Sequence, residues 1–359
     1  MTKKVSMQQI ADSVGLSKYA VSKALAGKEG VSPQTREKII DAATRLGYFK
    51  QQRTGKSAEE KNIAGTVPGQ EIRGQDKRTV AVLMPNIRLQ TMDSAFWSMI
   101  VQGIGQALSR IGLGMLILTE QTPEGFERLL KPDSLLGVIG VGEVSTSMLL
   151  EIKRLGLPFV LTDHEDPLVP SDTVFASNID SMSMITEHLW ALGHRSFWFL
   201  GETRYSRSFA DRWIGFRKAL EDNGIDIHPS HHQLTLSSTD RSANIALLNE
   251  KITEHIVHSR LIPTAWVCAN DEIAIAALAV LQEKGMHVPA AISVTGFDNI
   301  EESQRTSVPL TTVNVDKESL GERAVAALLD RVSEPGRPHE KINLACDLVV
   351  RSSTGSPSE

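Results

Sequence analysis

The strongest constraint on this chain lies in residues 5–25, where two short amphipathic helical patterns are joined by a turn of about three residues. Ser6 can cap the first helix through its hydroxyl, and Gln9, three positions on, can reach back to complete a capping box. Gly15 supplies the backbone freedom a helix C-terminus needs, and Ser17 stands two residues later as a cap for the second helix. Ile10, Ala11 and Val14 on the first helix and Val21, Ala24 and Leu25 on the second recur every three or four residues, so each helix has one apolar face. Ser32 and Pro33 announce a third helix, whose stripe of Ile39, Ile40, Ala43 and Leu46 ends at Gly47. Together these signals predict a helix-turn-helix head over residues 1–49.

Outside that small core the second helix offers Ser17, Lys18, Tyr19, Ser22 and Lys23, all donors or mixed donor-acceptors. The N-terminal side chains of a recognition helix meet base edges in the major groove, so Lys18 and Tyr19 are expected to read bases. Ser17, Ser22 and Lys23 are then expected mainly on phosphates, with Ser6 counted on the same DNA-facing side. Charge agrees. Residues 1–56 hold eleven Lys or Arg against four Asp or Glu, a formal +7, which leaves −12 on the remainder of a chain that totals −5. A cationic module on an acidic body suits docking on duplex DNA through one face, with affinity that falls as salt rises.

At 359 residues the chain is too long for one core, and its 41% apolar content is that of an ordinary globular protein. No apolar run approaches the ~18 residues that span a bilayer, and Met1-Thr2-Lys3-Lys4 is not followed by the apolar stretch of a secretory signal. A cytoplasmic location is expected, with Cys268 and Cys346 as free thiols. Residues 50–78, rich in Gln, Lys, Glu and Gly, read as a linker. From residue 79 onward, short apolar strands alternate with helices: strands at 79–85, 114–118, 136–141, 158–162, 196–200, 265–269 and 292–295, helices at 95–110, 182–192, 212–223 and 272–284. That alternation predicts an α/β body of parallel sheet with helices on both faces.

These residues resemble the LacI-type (lactose-repressor) family of bacterial transcriptional regulators. The head ends on Leu46-Gly47-Tyr48, and the likeness continues through Glu187-His188-Leu189-Trp190-Ala191-Leu192-Gly193-His194-Arg195, Arg212-Trp213-Ile214-Gly215-Phe216, Ala269-Asn270-Asp271, Ser293-Val294-Thr295-Gly296-Phe297-Asp298 and Pro309-Leu310-Thr311-Thr312-Val313. It implies a periplasmic-binding-protein-like body over 79–359, made of two subdomains that the chain crosses three times. The strand pattern puts those crossings near 175–178, 301–308 and 334–341. The first subdomain is then expected at about 79–176 and 308–334, and the second at about 177–302 and 340–355. The family usually follows Leu-Gly-Tyr with Pro-Asn and a short Ala-Arg-x-Leu hinge helix that wedges a leucine into the minor groove. Here Tyr48 is followed by Phe49-Lys50-Gln51-Gln52-Arg53, so an atypical hinge is expected.

In sheets of this kind ligands bind beyond the carboxyl ends of the strands. Asp163, Asn270 and Asp298 end strands, and Arg212 stands where the resemblance implies an effector-gripping guanidinium. Such planar groups suit a sugar or another hydroxyl-rich effector, and Phe96 or Trp97 offers a stacking face. Capping of the next helix or turn is the alternative role for Asp271 and Asp298. Gly103-Ile104-Gly105 falls inside a helix and is expected to serve packing, and His194 is expected to cap a helix end. His228, His231 and His232 lack the spacing of a metal site, and no nucleophile with an assignable base is found. The expectation is a regulator, a repressor by preference, with no cofactor and no enzymatic activity, acting as a homodimer on double-stranded operator DNA. A body that senses a nucleoside, a purine or a partner protein, and a solute-binding protein for transport, are the alternatives.

Overall fold

The computed structural model describes residues 7–25, 32, 35, 38, 39, 42, 79–84, 95–119, 122, 123, 125, 126, 132–237, 240–258 and 261–358. It divides into two compact units, residues 1–73 and 74–359. Ser6, with its capping box, and the linker and hinge expected at 50–78 lie outside the described residues.

In the first unit, α1 (Met7–Val14) and α2 (Lys18–Leu25) are separated by three residues. Gly15 takes a φ of +66°, the left-handed conformation that ends α1, and the Leu16 N–H returns to Ala11 O at 3.0 Å. Ser17 Oγ accepts from Ala20 N at 3.2 Å and so caps α2. Ser32 caps the next helix in the same way through Thr35 N, and Thr35, Lys38, Ile39 and Ala42 are helical. Ile10, Ala11, Val21, Ile39 and Ala42 form the shared core, flanked by Met7, Val14 and Leu16.

The second unit contains two six-stranded sheets. The first has the order β11-β5-β4-β3-β1-β2, all parallel, from β1 (Thr79–Leu83), β2 (Gly114–Leu118), β3 (Leu135–Val141), β4 (Phe159–Thr162), β5 (Asp172–Ala176) and β11 (Lys341–Leu344). The second has the order β12-β10-β9-β8-β6-β7, from β6 (Phe197–Leu200), β7 (Gln233–Leu234), β8 (Ala265–Cys268), β9 (Ser293–Asp298), β10 (Thr311–Asn314) and β12 (Asp347–Val349). Only the β10–β12 pair in it is antiparallel. Each sheet with its helices is one lobe. The helices that position the site are α3 (Ala95–Arg110), α4 (Asn178–Ala191), α5 (Arg207–Asp222), α6 (Asp271–Glu283) and α7 (Lys317–Ser333). Among the described residues no helix is long and apolar enough to cross a membrane.

Two of the three crossings fall later than the strand pattern predicts. The first lies between β5 and α4, which packs on α5. The stretch 308–334 does not belong to one lobe: β10 pairs with β9 in the second sheet, whereas α7 packs on β3, β4 and β5 of the first. The second crossing is therefore at 315–316. The third is at 345–346, because β11 pairs with β5 and β12 with β10. Hydropathy marks a strand but not its sheet, since pairing joins residues far apart in sequence.

Helix α7 lies against α3 at very short range. A Cβ on Gly103 would sit 2.1 Å from Glu318 O, and one on Gly321 would sit 2.2 Å from Ile100 O, so these glycines serve helix packing. The His194 ring does not cap a helix end; only its backbone N–H does, donating to Leu189 O at 3.2 Å. The ring is buried, with Nδ1 2.9 Å from Thr264 Oγ1 and Nε2 2.9 Å from Gly355 O, and burial lowers its pKa. Arg195 takes the capping role by donating to Trp190 O at 3.0 Å while stacking on the Trp190 ring at 3.7 Å. Cys268 is buried and Cys346 half-buried, both as free thiols.

Candidate functional site

Two surfaces collect the side chains picked out from the sequence. On α2, Ser17, Lys18, Tyr19 and Ser22 are exposed, Tyr19 at 76%, while Val21 between them is fully buried. Lys23 is half-buried, its Nζ 6.0 Å from the Tyr19 ring centroid. The helical period thus turns the apolar residue inward and leaves one polar face of donors free for a groove.

The second surface is the cleft between the lobes, at the carboxyl ends of β4 and β9. Three non-glycine residues among those described have positive φ: Asp163 (55°), Asp298 (107°) and Asn299 (51°). All three directly follow or close those two strands. Strained backbone of this kind costs on the order of 1–3 kcal/mol per residue and persists where the surrounding structure holds it, commonly at functional sites.

Arg212 is the hub. It is 3% exposed, one turn into α5, with its guanidinium 3.8 Å from the Phe297 ring centroid. Nε donates to Asn178 Oδ1 at 2.9 Å, one Nη to Ala269 O at 2.7 Å and the other to Asp298 Oδ1 at 3.1 Å. Asn178 in turn donates to Ser208 Oγ at 3.2 Å, and Ser208 donates to Asp163 Oδ1 across the cleft. Farther out, Arg207 bridges the lobes to Glu165 at 2.5 Å. From the first lobe, Lys317 donates to the Asp298 carbonyl, and its Nζ lies 5.8 Å from the Phe96 ring centroid.

Burial pushes the Asp163 carboxyl up to about 6, against the hydrogen bond from Ser208 and the charge of Arg212. Burial also raises Asp298, opposed by Arg212 and Lys317, and it lowers the Lys317 amine. Asp271 is raised to about 7 by burial and by the neighbouring Asp298 charge.

Of the residues predicted for the effector, the fold brings Asp163, Arg212, Asp298 and Phe96 to one place. Trp97 is half-buried and covers the end of β3, where a Cβ on Gly142 would lie 3.3 Å from its ring. Asn270 accepts from Ile273 N at 3.0 Å and caps α6, so the capping role expected for its acidic neighbour belongs to Asn270. Asp271 does not cap. It is fully buried and accepts from Thr312 Oγ1 at 2.6 Å and Ile300 N at 2.8 Å. Sequence reasoning missed Asn178, Ser208 and Lys317. Ser208 was within reach, one helical turn ahead of Arg212, whereas Lys317 looks like any surface lysine behind a capping aspartate.

A helix-turn-helix unit and a two-lobed α/β unit with a polar cleft between its lobes define the class of DNA-binding regulators with a ligand-binding-protein body. Residues 6–51 match the family described as bacterial regulatory proteins, lacI family, and residues 186–354 match the periplasmic binding protein-like domain. The chain is 28% identical to the HTH-type transcriptional regulator MalR of Streptomyces coelicolor, over 98% of this chain and 96% of the relative. It is similar to the Lac repressor dimer bound to operator and the anti-inducer ONPF, at 25% identity and a TM-score of 0.65, covering 98% of this chain and 100% of that one. As a likeness of fold, the regulator CelR in complex with cellobiose aligns with a TM-score of 0.67 at 24% identity, over 97% and 99% of the two chains. The chain thus combines a lacI-family helix-turn-helix domain with a periplasmic-binding-protein-like domain and is a DNA-binding transcriptional regulator.

Proposed function

We propose that this regulator, acting as a repressor, binds a pseudo-palindromic operator as a symmetric dimer and answers to a sugar or sugar derivative held between its lobes. The observation that carries the effector reading is the convergence of Arg212, Asp298 and Asp163 with the Phe96 ring at strand ends held in strained backbone. Paired acceptors and a planar donor beside an aromatic face match neighbouring hydroxyls on a ring. The cellobiose complex of a protein of this fold supports the same reading. One α2 per subunit enters each half-site, Lys18 and Tyr19 on base edges and Ser17, Ser22 and Lys23 on phosphates. Such a role belongs in the cytoplasm. Effector binding works through its difference in affinity between two lobe arrangements, which sets the spacing of the heads.

A thermal-shift screen of neutral sugars, sugar phosphates, nucleosides and purines tests the effector class. A cleft ligand at 100 times its Kd adds ~2.7 kcal/mol of stability. A shift with purines and none with any sugar overturns the sugar reading.

A further inference from the structure

Three cations are buried among the described residues of the second unit: Arg212, Lys317 and Arg331. Arg212 pairs with Asp298, and Arg331 with Asp172 at 2.8 Å. Lys317, 3% exposed, has no carboxylate within ion-pair distance among the described residues. Its ammonium carries three N–H donors, of which one goes to Asp298 O and one to Val315 O at 3.1 Å, both backbone carbonyls. The third has no acceptor among the described residues. The charges of Asp298, Asp271 and Asp316 act on the ammonium from close by, but none of these carboxylates accepts a hydrogen bond from it, and a buried donor left unused is costly.

The position makes the case stronger. Lys317 is the first residue of a 17-residue helix, where the partial positive charge of the helix end disfavours a cation and favours an anion. Its amine lies beside the Phe96 ring and on the carbonyl of Asp298, whose side chain holds Arg212. The unused donor therefore lies in the cleft cluster and not in the packing between α3 and α7.

We propose that Lys317 is a specificity-determining residue and that the group it takes is a carboxylate, so that the effector is a hydroxylated carboxylic acid of the uronate or aldonate type. The inference rests on the cleft being the effector site. One spare N–H and the helix end match a single negative charge. A phosphate monoester, near −2 at pH 7, meets the close carboxylates of Asp298 and Asp271 with only that one donor to offset them. The hydroxyls of such an acid are left for Asp163, Asp298 and the Arg212 edge, and its carbon skeleton for Phe96.

Calorimetric titration of the full chain with matched pairs, glucose against glucuronate and gluconate, galactose against galacturonate and galactonate, tests this directly. The expected result is an acid that binds at least tenfold more tightly than its neutral partner, with glucose 6-phosphate no better than glucose. In Lys317→Met the acid loses at least tenfold more affinity than its neutral partner, while Lys317→Arg retains a preference for the acid. A neutral sugar that outranks its acids, or equal loss of both in Lys317→Met, overturns the carboxylate assignment and leaves the sugar reading intact. Failure of every member of every pair, with a purine bound in their place, overturns both. If Lys317→Met does not fold, the ranking of ligands on the parent chain still decides.

Discussion

The two buried arginine–aspartate pairs of the body differ in how completely they are satisfied. Arg331 meets Asp172 with two parallel bonds, at 2.8 and 3.0 Å, and spends its other donors on the carbonyls of Pro335, Arg337 and Pro338. Asp172 also accepts from Glu340 N at 2.8 Å. Burial works against ionised Asp172, yet the hydrogen bonds of Arg331 and Glu340 hold it below the usual carboxylate range. Arg212 gives Asp298 a single bond at 3.1 Å, and Asp298 remains raised despite two nearby cations. The first pair, at the start of β5, ties α7 to the first sheet. The second, at the end of β9, is left with capacity for something else. A saturated buried pair is an anchor, and an unsaturated one beside strained backbone is a site.

The largest effect that sharpens this contrast is expected at the anchor. Arg331→Met leaves Asp172 buried without its cation and costs about 3–5 kcal/mol of stability, read by thermal or urea unfolding. Effector affinity stays unchanged in the part that still folds. Arg212→Leu costs less, on the order of 1–3 kcal/mol, because raised Asp298 takes a proton at little expense, but it abolishes the ligand-induced thermal shift. Equal stability losses in the two variants would erase the distinction.

The two sites also respond to pH with opposite sign. Asp172 is depressed, so its contribution is present above the unfolded carboxylate pKa and is lost as pH falls through the lower folded value. Asp163, raised to about 6 from 3.8, binds its proton more tightly when folded, so stability falls as pH rises from 3.8 through about 6. Asp163→Asn is expected to gain melting temperature relative to the parent at pH 8 and to lose that advantage by about pH 4. A gain that persists unchanged at low pH would assign it to packing instead.

Smaller effects belong to the head. Lys18→Ala is expected to remove about 1–3 kcal/mol of discrimination between operator and random duplex. Lys23→Ala weakens both alike and lowers the salt slope by about 0.9 for each phosphate it no longer neutralises, as measured by fluorescence anisotropy over a salt series. Identical behaviour of the two variants contradicts the division between base reading and phosphate binding.

The head was legible almost residue by residue, because its signals act within four positions: Gly15 ends α1, Ser17 caps α2, and Val21 turns inward while Tyr19 stays out. Strand β5 was missed although its residues are buried throughout, since Asp172-Thr173 at its start reads as loop until Arg331 is seen to neutralise it. At the cleft, Asp163 and Asp298 could be picked out as polar residues at strand ends, and Arg212 from the family resemblance. That Asn270 caps a helix while Asp271 bonds Thr312 was not readable, because the choice depends on which loops the other strands bring alongside.

By itself the sequence determined the class of each element and the presence of a DNA-reading head on an α/β body, since helical period, caps and turn residues are local and leave their mark in adjacent letters. Only the tertiary structure decided which lobe receives β10 and α7, where the three crossings fall, and that Lys317 is buried among carbonyls while Arg331 is sealed by a carboxylate. Those outcomes depend on side chains more than a hundred positions apart coming within 3 Å, as Asp172 and Arg331 do, and only chain closure sets such distances.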